Sequence, residues 1–313
     1  GSHLAEKLVK LKHKIIIIDN LSNGKISNLK NLSSYTFVKQ DISKDNVRWK
    51  KYFSKADFVF HLAALSDVVP SITNPRGYFN SNVVGTFNVL EACKKNKKIR
   101  FLYVASSTCY GIPDNYPTKE KSKISLKYPY ALTKNIGEEL TLHWGKVYKF
   151  KAFSARLFNV YGERSRTSGT YGAVFGVFLA QKLANKPFTI VGSGNQKRDF
   201  TYVSDVVEAM IKIIKSRYYG EIFNVGSGDT VSVNKIAKLI GGKKTNIPKR
   251  PGEPDITYAD ISKITRKLKW NPKVKIEQGV LKLKKNINLW RGAPVWDAKK
   301  IKIATKDWFK YLK

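Results

Sequence analysis

The stretch that decides the fold is GSHLAEKLVKLKHKIIIIDN, residues 1–20. Leu4, Leu8 and Leu11 recur at helical spacing and give one apolar face. Ile15, Ile16, Ile17 and Ile18 then make a short, wholly apolar run that stops at Asp19, the pattern of a parallel strand buried on both faces. Helix, strand and terminal acid, in that order, form the second half of a dinucleotide-binding βαβ unit.

The rhythm continues along the chain. ADFVFHLAAL (56–65) reads as a strand running into a loop, NSNVVGTFNVLEACKKN (80–96) as a helix, and IRFLYVASST (99–108) as a second buried strand. PYALTKNIGEELTLHWGKVY (129–148) is a long helix, and KAFSARLFNVYG (151–162) a further strand with a turn. Repeated β-then-α units of this length predict an α/β fold with a Rossmann-like, doubly wound parallel sheet. After about Tyr161 the rhythm breaks. The glycine-rich turns VGSGN (191–195) and VGSGD (225–229) and the proline-rich IPKRPGEPD (247–255) predict a smaller C-terminal α/β domain that supplies a binding surface. The expected division gives residues 1–160 plus about 199–226 to the cofactor domain, and about 161–198 plus 227–313 to the substrate domain.

Composition excludes several classes. The 313 residues allow an ample core, and a 42% hydrophobic content is that of an ordinary globule. No apolar stretch has the length of a membrane span and no signal peptide is visible. Two cysteines, Cys93 and Cys109, fit reduced thiols in a cytoplasmic protein better than a disulfide framework. Four scattered histidines argue against a structural metal, so none is expected. The net charge of +35 is the outlying number. Its lysines are spread from Lys7 to Lys313 without a nucleic-acid motif, which favours lysine drift over a specific nucleic-acid partner.

The chemistry concentrates in YPYALTK (128–134). Tyr130 and Lys134 lie four apart on a predicted helix and share one face, so the lysine ammonium is expected to lower the phenol pKa and favour a proton-accepting base. Ser106 and Ser107 close a buried strand, where the carboxyl ends of a parallel sheet meet a ligand cleft.

With these residues in order, the sequence resembles the extended short-chain dehydrogenase/reductase family. Within it, the chain is most similar to the nucleotide-sugar epimerases and dehydratases, nearest to UDP-glucose 4-epimerase-like proteins. IDNLSNG, HLAA, NVVGT, SSTCYG, YPYALTK, RLFNVYG, RDFTYVSD, FNVGSG and RPGEPD carry the likeness over nearly the whole chain. The resemblance implies a catalytic triad of Ser106, Tyr130 and Lys134 and an NAD cofactor. By the same likeness Asp19 and Asn20 hold the adenosine ribose, Asp41 and Ile42 flank adenine, and Leu62, Ala63, Ala64 and Asn82 line the nicotinamide side. Ser106, Ser107, Asn159, Arg198 and Arg250 match substrate positions, the last three gripping the sugar-nucleotide phosphates. His61 and Cys109 read as packing residues. Gly1 matches the third glycine of the family's G-x-x-G-x-x-G loop, so the sequence reads as truncated within that loop; a GSH cloning scar is the rival reading.

The expected reaction follows from a comparison inside the family. Dehydratases carry an Asp-Glu pair directly after the triad Ser/Thr, whereas Ser107 and Thr108 stand there in this chain. The resemblance therefore implies 4-epimerisation of a nucleotide sugar, UDP-glucose/UDP-galactose first, in a cytoplasmic homodimer. A 4,6-dehydratase, a 4-ketosugar reductase and a non-catalytic NAD-responsive binding protein remain the alternatives. Arg164 and Arg166 are candidates for an additional anionic group.

Overall fold

The isoleucine run forms a strand as expected, but burial on both faces is not borne out, since Ile16 is exposed and Ile17 and Ile18 are only half-buried. The computed structural model describes residues 1–165 and 173–312. Its strands follow in chain order as β1 (Ile16–Asp19), β2 (Thr36–Lys39), β3 (Phe58–His61), β4 (Arg100–Ser106), β5 (Lys151–Leu157) and β6 (Asn159–Tyr161). Then come β7 (Phe188–Val191), β8 (Lys197–Arg198), β9 (Phe200–Tyr202), β10 (Ile222–Val225), β11 (Val231–Ser232) and β12 (Lys244–Ile247).

The expected doubly wound parallel sheet is present, in two pieces. β10, β5, β4 and β3 form one all-parallel sheet, and β1 pairs with β2, Asp19 opposite Lys39. Among the described residues no ladder joins the pieces. The bordering strands show the consequence. Ile16 of β1 is 41% exposed and Phe58, Val59 and Phe60 of β3 are half-buried, whereas Phe101, Leu102 and Tyr103 of β4 are sealed.

Helices cover both faces. Leu4 from the helix Ser2–Lys10 and Val206, Met210 and Ile213 from the helix Val203–Lys215 pack on Leu102, Phe153 and Phe223. On the other face Val89 and Leu90 of the helix Gly85–Cys93 and Leu140 and Trp144 of the long helix Pro129–Tyr148 cover Phe101 and Tyr103. Beyond Tyr161 a separate core gathers Phe178 stacked on Phe188 at 4.8 Å, with Ile236, Leu283, Trp290 and Trp308. Its ladders are short pairs, β6–β9, β7–β12 and β8–β11, because turns such as Gly192 (φ +59°) and Gly194 (φ +78°) interrupt the strands.

The long helix positions the site. Pro129 occupies its first turn, where the missing N–H costs nothing, and the preceding Tyr128 is extended as a residue before proline prefers. Gly137 permits close approach to β4: a Cβ there would sit 2.2 Å from the Tyr103 hydroxyl. Tyr130, Lys134 and Glu138 recur every fourth residue on the buried face. Glu138 accepts Ser154 Oγ at 2.6 Å and Arg156 Nη2 at 2.5 Å, with both ionic side chains about as buried as the core, at 3% and 5% exposure. Arg156 also donates to the Tyr110 hydroxyl (2.9 Å) and the Glu120 carbonyl (3.0 Å). Removing one partner of such a pair strands the other charge in the interior. Glu138→Gln should therefore cost about 3–5 kcal/mol of unfolding free energy. Urea denaturation measures it, and a loss below about 1 kcal/mol would show the pair to be dispensable.

Candidate active site at the carboxyl edge of the sheet

Within each piece the strands run parallel, and the residues just past β2 and β3, Ile42 and Leu65, both meet the segment Asn82–Asn88, so the carboxyl ends share one edge, as in other open α/β sheets. At the β1 end Asp19 Oδ1 accepts the Leu21 N–H at 2.7 Å, and Asn20 Oδ1 accepts the Ser22 N–H at 3.0 Å. Both are side-chain-closed turns. The Gly1 amine lies within the electrostatic reach of Asp19. Beyond β2, Asp41 accepts Ser43 N–H at 2.9 Å and Ser43 Oγ at 2.7 Å. Burial alone would push the Asp41 carboxyl up, but the Ser43 donors and Asn20 hold it below the usual range. Asn20 and Asp41 thus meet, tying the β1 and β2 ends together. Ile42 turns its side chain onto Gly85, and its carbonyl accepts Asn88 Nδ2 at 2.9 Å.

Leu62, Ala63 and Ala64 continue from β3. The next residue, Leu65, is gripped by Asn82, which accepts its N–H (2.8 Å) and donates to its carbonyl (3.0 Å). Asn82 also donates to Thr133 Oγ1 at 3.1 Å. It sits in a π-helical turn, Asn80–Val84, and is 1% exposed, so its amide braces the loop against the long helix.

Ser106, Tyr130 and Lys134 come together at the centre of this edge. Ser106 Oγ accepts the Thr108 hydroxyl at 2.9 Å, and the Tyr130 hydroxyl bonds to Ser106. Among the described residues Lys134 Nζ has no hydrogen-bond acceptor; it lies 4.3 Å from the Tyr103 ring centroid, a cation–π distance. The electrostatics correct the expectation from spacing. Burial pushes the Tyr130 phenol up to about 12, with Ser106 opposing and Asp67 and Cys109 adding. Burial also brings Lys134 down to about 7, against Glu138. Desolvation leads at both groups, and near pH 7 Tyr130 is protonated. His61, 4% exposed and 2.9 Å from Thr86 Oγ1, is lowered to about 3 by burial and Lys134, so it is neutral.

On the opposite wall Asn159 accepts Thr257 Oγ1 at 2.9 Å and donates its N–H to the Asp199 carbonyl at 3.0 Å. Arg250 binds Glu253 through two N–H groups, at 2.7 and 3.1 Å. Burial lowers the Arg198 guanidinium, Glu253 opposes this, and Arg250 adds to it, which places the two arginines in each other's field around one glutamate. Ser107 begins the 3₁₀ turn Ser107–Tyr110 beside Ser106. Arg164 is spoken for: Glu6 takes it at 2.7 and 2.8 Å, and the Asn28 carbonyl and His3 complete the set. It is a structural tie to the first helix and not a receptor for an added anion. Arg166 lies outside the described residues.

Two acids escaped the sequence reading. Asp67, in the loop after β3, raises the Tyr130 pKa, and its backbone carbonyl accepts the Tyr78 hydroxyl, whose ring stands edge-on to Tyr130 at 6.3 Å. The signal was an acid three residues past HLAA, at the start of the helix Val68–Thr73. Asp199 is sealed and accepts Ser227 N–H (2.5 Å), Ser227 Oγ (2.7 Å), Ala259 N–H (3.1 Å) and Gly228 N–H (3.2 Å), so it clamps the VGSGD turn. Among the described residues no cluster of His, Cys, Asp and Glu could hold a metal ion, and no helix is long and apolar enough to cross a membrane.

The depressed lysine has a stability consequence. Lys134 carries its proton in the unfolded chain up to about 10.5 but in the folded chain only up to about 7. Between those values the unfolded state binds the extra proton, so stability rises with pH, and below about 7 the full cost of burying the ammonium remains. Measured against Lys134→Met by denaturation, the parent protein should gain stability as pH climbs from 7 toward 10; a flat difference would place the lysine in water.

Comparison with known proteins agrees with this geometry. The family model described as GDP-mannose 4,6 dehydratase matches residues 1–283. A putative UDP-glucose 4-epimerase of Methanocaldococcus jannaschii is 33% identical over 287 residues, covering 90% of this chain and 92% of the relative. A UDP-N-acetyl-alpha-D-glucosaminuronate decarboxylase of Bacillus cytotoxicus is 30% identical, covering 93% and 94%. The crystal structure of UDP-glucuronic acid 4-epimerase from Bacillus cereus, in complex with UDP-glucuronic acid and NAD, matches with a TM-score of 0.84 at 30% identity, over 92% and 95% of the two chains. The chain belongs to the extended short-chain dehydrogenase/reductases, in the GDP-mannose 4,6-dehydratase-like family of nucleotide-sugar epimerases, decarboxylases and dehydratases.

Proposed function

We propose that this chain is an NAD-dependent nucleotide-sugar 4-epimerase acting on a UDP-hexose. The observation that carries the reading is the meeting of Ser106, Tyr130 and Lys134 at the sheet edge, followed by Ser107 and Thr108 and not by acids. The NAD assignment fits two features: an acid-terminated strand at Asp19, suited to ribose hydroxyls, and the buried Lys134 Nζ without an acceptor among the described residues.

Once its own proton has passed to solvent, the Tyr130 phenolate takes the proton of the sugar's C4 hydroxyl, while Ser106 hydrogen-bonds the same oxygen and orients it. Bound NAD would supply the acceptor for the C4 hydride and a positive charge favouring the phenolate, which the half-neutral Lys134 alone does not give. Lys134, once protonated, stabilises the phenolate. Ser107 and Thr108 have no group that eliminates water near neutral pH, so the ketone turns over in place and is reduced on its other face. Asn159, Arg198 and Arg250 hold the diphosphate; guanidinium forks suit its paired oxygens.

A second reading, elimination of water, has one observation in its favour: Asp67 is a carboxylate within the field of Tyr130. We also assign a homodimer, paired through the outer faces of the helices Gly85–Cys93 and Pro129–Tyr148. Phe87 (40% exposed), Leu132 (45%) and Val147 (48%) lie there, and Phe87 meets Trp144 edge-on at 5.7 Å.

Incubation with UDP-glucose, UDP-N-acetylglucosamine and UDP-glucuronate, with products identified by NMR, should yield the 4-epimer without added NADH. A requirement for stoichiometric NADH would make it a ketosugar reductase, and no turnover with any sugar nucleotide would leave a binding protein. Tyr130→Phe should lower turnover about 10²-fold or more and leave sugar-nucleotide affinity near that of the parent. Near-normal turnover would remove Tyr130 from the mechanism. Mass spectrometry should find no 4-keto-6-deoxy sugar from dTDP-glucose; loss of water would favour Asp67 as the missing acid.

A further inference from the structure

The family match ends at residue 283, yet the chain folds on past it. The 3₁₀ turn Ile287–Trp290 and the helices Ala298–Ala304 and Lys306–Tyr311 return to the substrate wall. Trp308, 2% exposed, is the side chain of this segment that meets Arg250. We propose that Trp308 is a positioning residue for Arg250, holding its guanidinium ready for the diphosphate of the sugar nucleotide.

Four contacts make the case. The indole Nε1–H donates to the Pro251 carbonyl at 2.8 Å, fixing the backbone directly after Arg250. The Arg250 guanidinium lies 5.8 Å from the indole ring centroid, so the ring covers its face while Glu253 takes its edge. Trp308 packs on Tyr128 with centroids 5.1 Å apart, and the Tyr128 hydroxyl donates to the Gly252 carbonyl at 3.3 Å. Two successive carbonyls of the turn are thereby pinned by two aromatic side chains in contact. Gly252, at φ +71°, gives the turn its left-handed step.

Tyr128 carries the second half of the reasoning. It is the residue before Pro129 at the start of the long helix, two positions from Tyr130. Trp308 therefore joins the catalytic helix to the loop that bears Arg250. A core tryptophan with no such role would support stability alone. One that sets the guanidinium's position changes affinity for a diphosphate while NAD binding and the C4 chemistry stay as they were.

The inference rests on the reading that Arg250 meets the diphosphate, and its test separates the two. Full-length protein, Trp308→Leu and Trp308→Phe are titrated calorimetrically with UDP and, separately, with NAD, and KM and kcat are measured with UDP-glucose. Trp308→Leu should weaken UDP binding and raise KM about tenfold, the scale of a desolvated cation–π contact, with NAD affinity and kcat within about twofold. Trp308→Phe keeps a ring over the guanidinium but not the N–H, and should recover about half of that loss on a logarithmic scale. A Leu variant that binds NAD normally and UDP as tightly as the parent overturns the inference and leaves the proposed function standing. Should the Leu variant not fold, unchanged UDP affinity in the Phe variant overturns it equally. A parent protein that binds NAD but neither UDP nor any other nucleoside diphosphate overturns the reading of Arg250 and this inference with it.

Discussion

The buried pair of Glu138 and Arg156 holds the rest of the molecule in register. Glu138 lies on the same helical face as Tyr130 and Lys134, and Arg156 sits in β5, so the ion pair locks that face against the sheet. Through Tyr110 and the Glu120 carbonyl, Arg156 also anchors the turn that starts at Ser107, next to the third triad member. Tyr110 in turn donates to Asn224 of β10 at 2.7 Å. One guanidinium thus connects the helix, two strands and the turn. A bidentate fork can do this where an ammonium cannot, because its donors lie in one plane at fixed angles.

The same burial that makes the pair necessary shapes the chemistry beside it. Glu138 opposes the fall of the Lys134 pKa, yet burial still takes the lysine to about 7. Tyr130 is driven the other way, up to about 12. In the ligand-free protein the two groups therefore approach neutrality from opposite sides, which is the least costly state for an enclosed cleft. A chain with a net charge of +35 keeps its excess on the surface; at the triad the lysine is the cation whose proton is negotiable.

Much of this was legible along the chain, for local reasons. The isoleucine run ending at Asp19 and the strand ending at Ser106 follow from periodicity and from the rule that parallel strands present their carboxyl ends to a cleft. The four-residue spacing of Tyr130 and Lys134 placed them on one face, but spacing carries no dielectric, so the direction of the phenol's shift was misjudged. Arg164 reads along the sequence as a candidate for an additional anionic group; its partner Glu6 stands 158 residues away. Asp199 was invisible for the same reason, since its donors come from Ser227, Gly228 and Ala259. Composition and motif order report what a segment forms. They do not report which distant backbone it will satisfy.

Within one architecture this family carries out epimerisation, decarboxylation and elimination, as the names of its members record. Under the proposed reading the triad serves an oxidation at C4 for which bound NAD would be the hydride acceptor, and the reactions diverge in what stands around the resulting ketone. In this chain the turn after Ser106 offers hydroxyls, with Thr108 already donating to Ser106. The carboxylate near Tyr130 comes instead from Asp67, at the start of the helix Val68–Thr73, where the Tyr78 hydroxyl holds its carbonyl. An acid there would repel a second carboxylate on a bound sugar or accept its hydroxyls. Under the proposed reading Asp67 bears on the reacting end of the sugar, while Arg198 and Arg250 would hold its diphosphate around Glu253. Such an arrangement would let one scaffold keep its nucleotide wall while the chemistry beside Tyr130 changes.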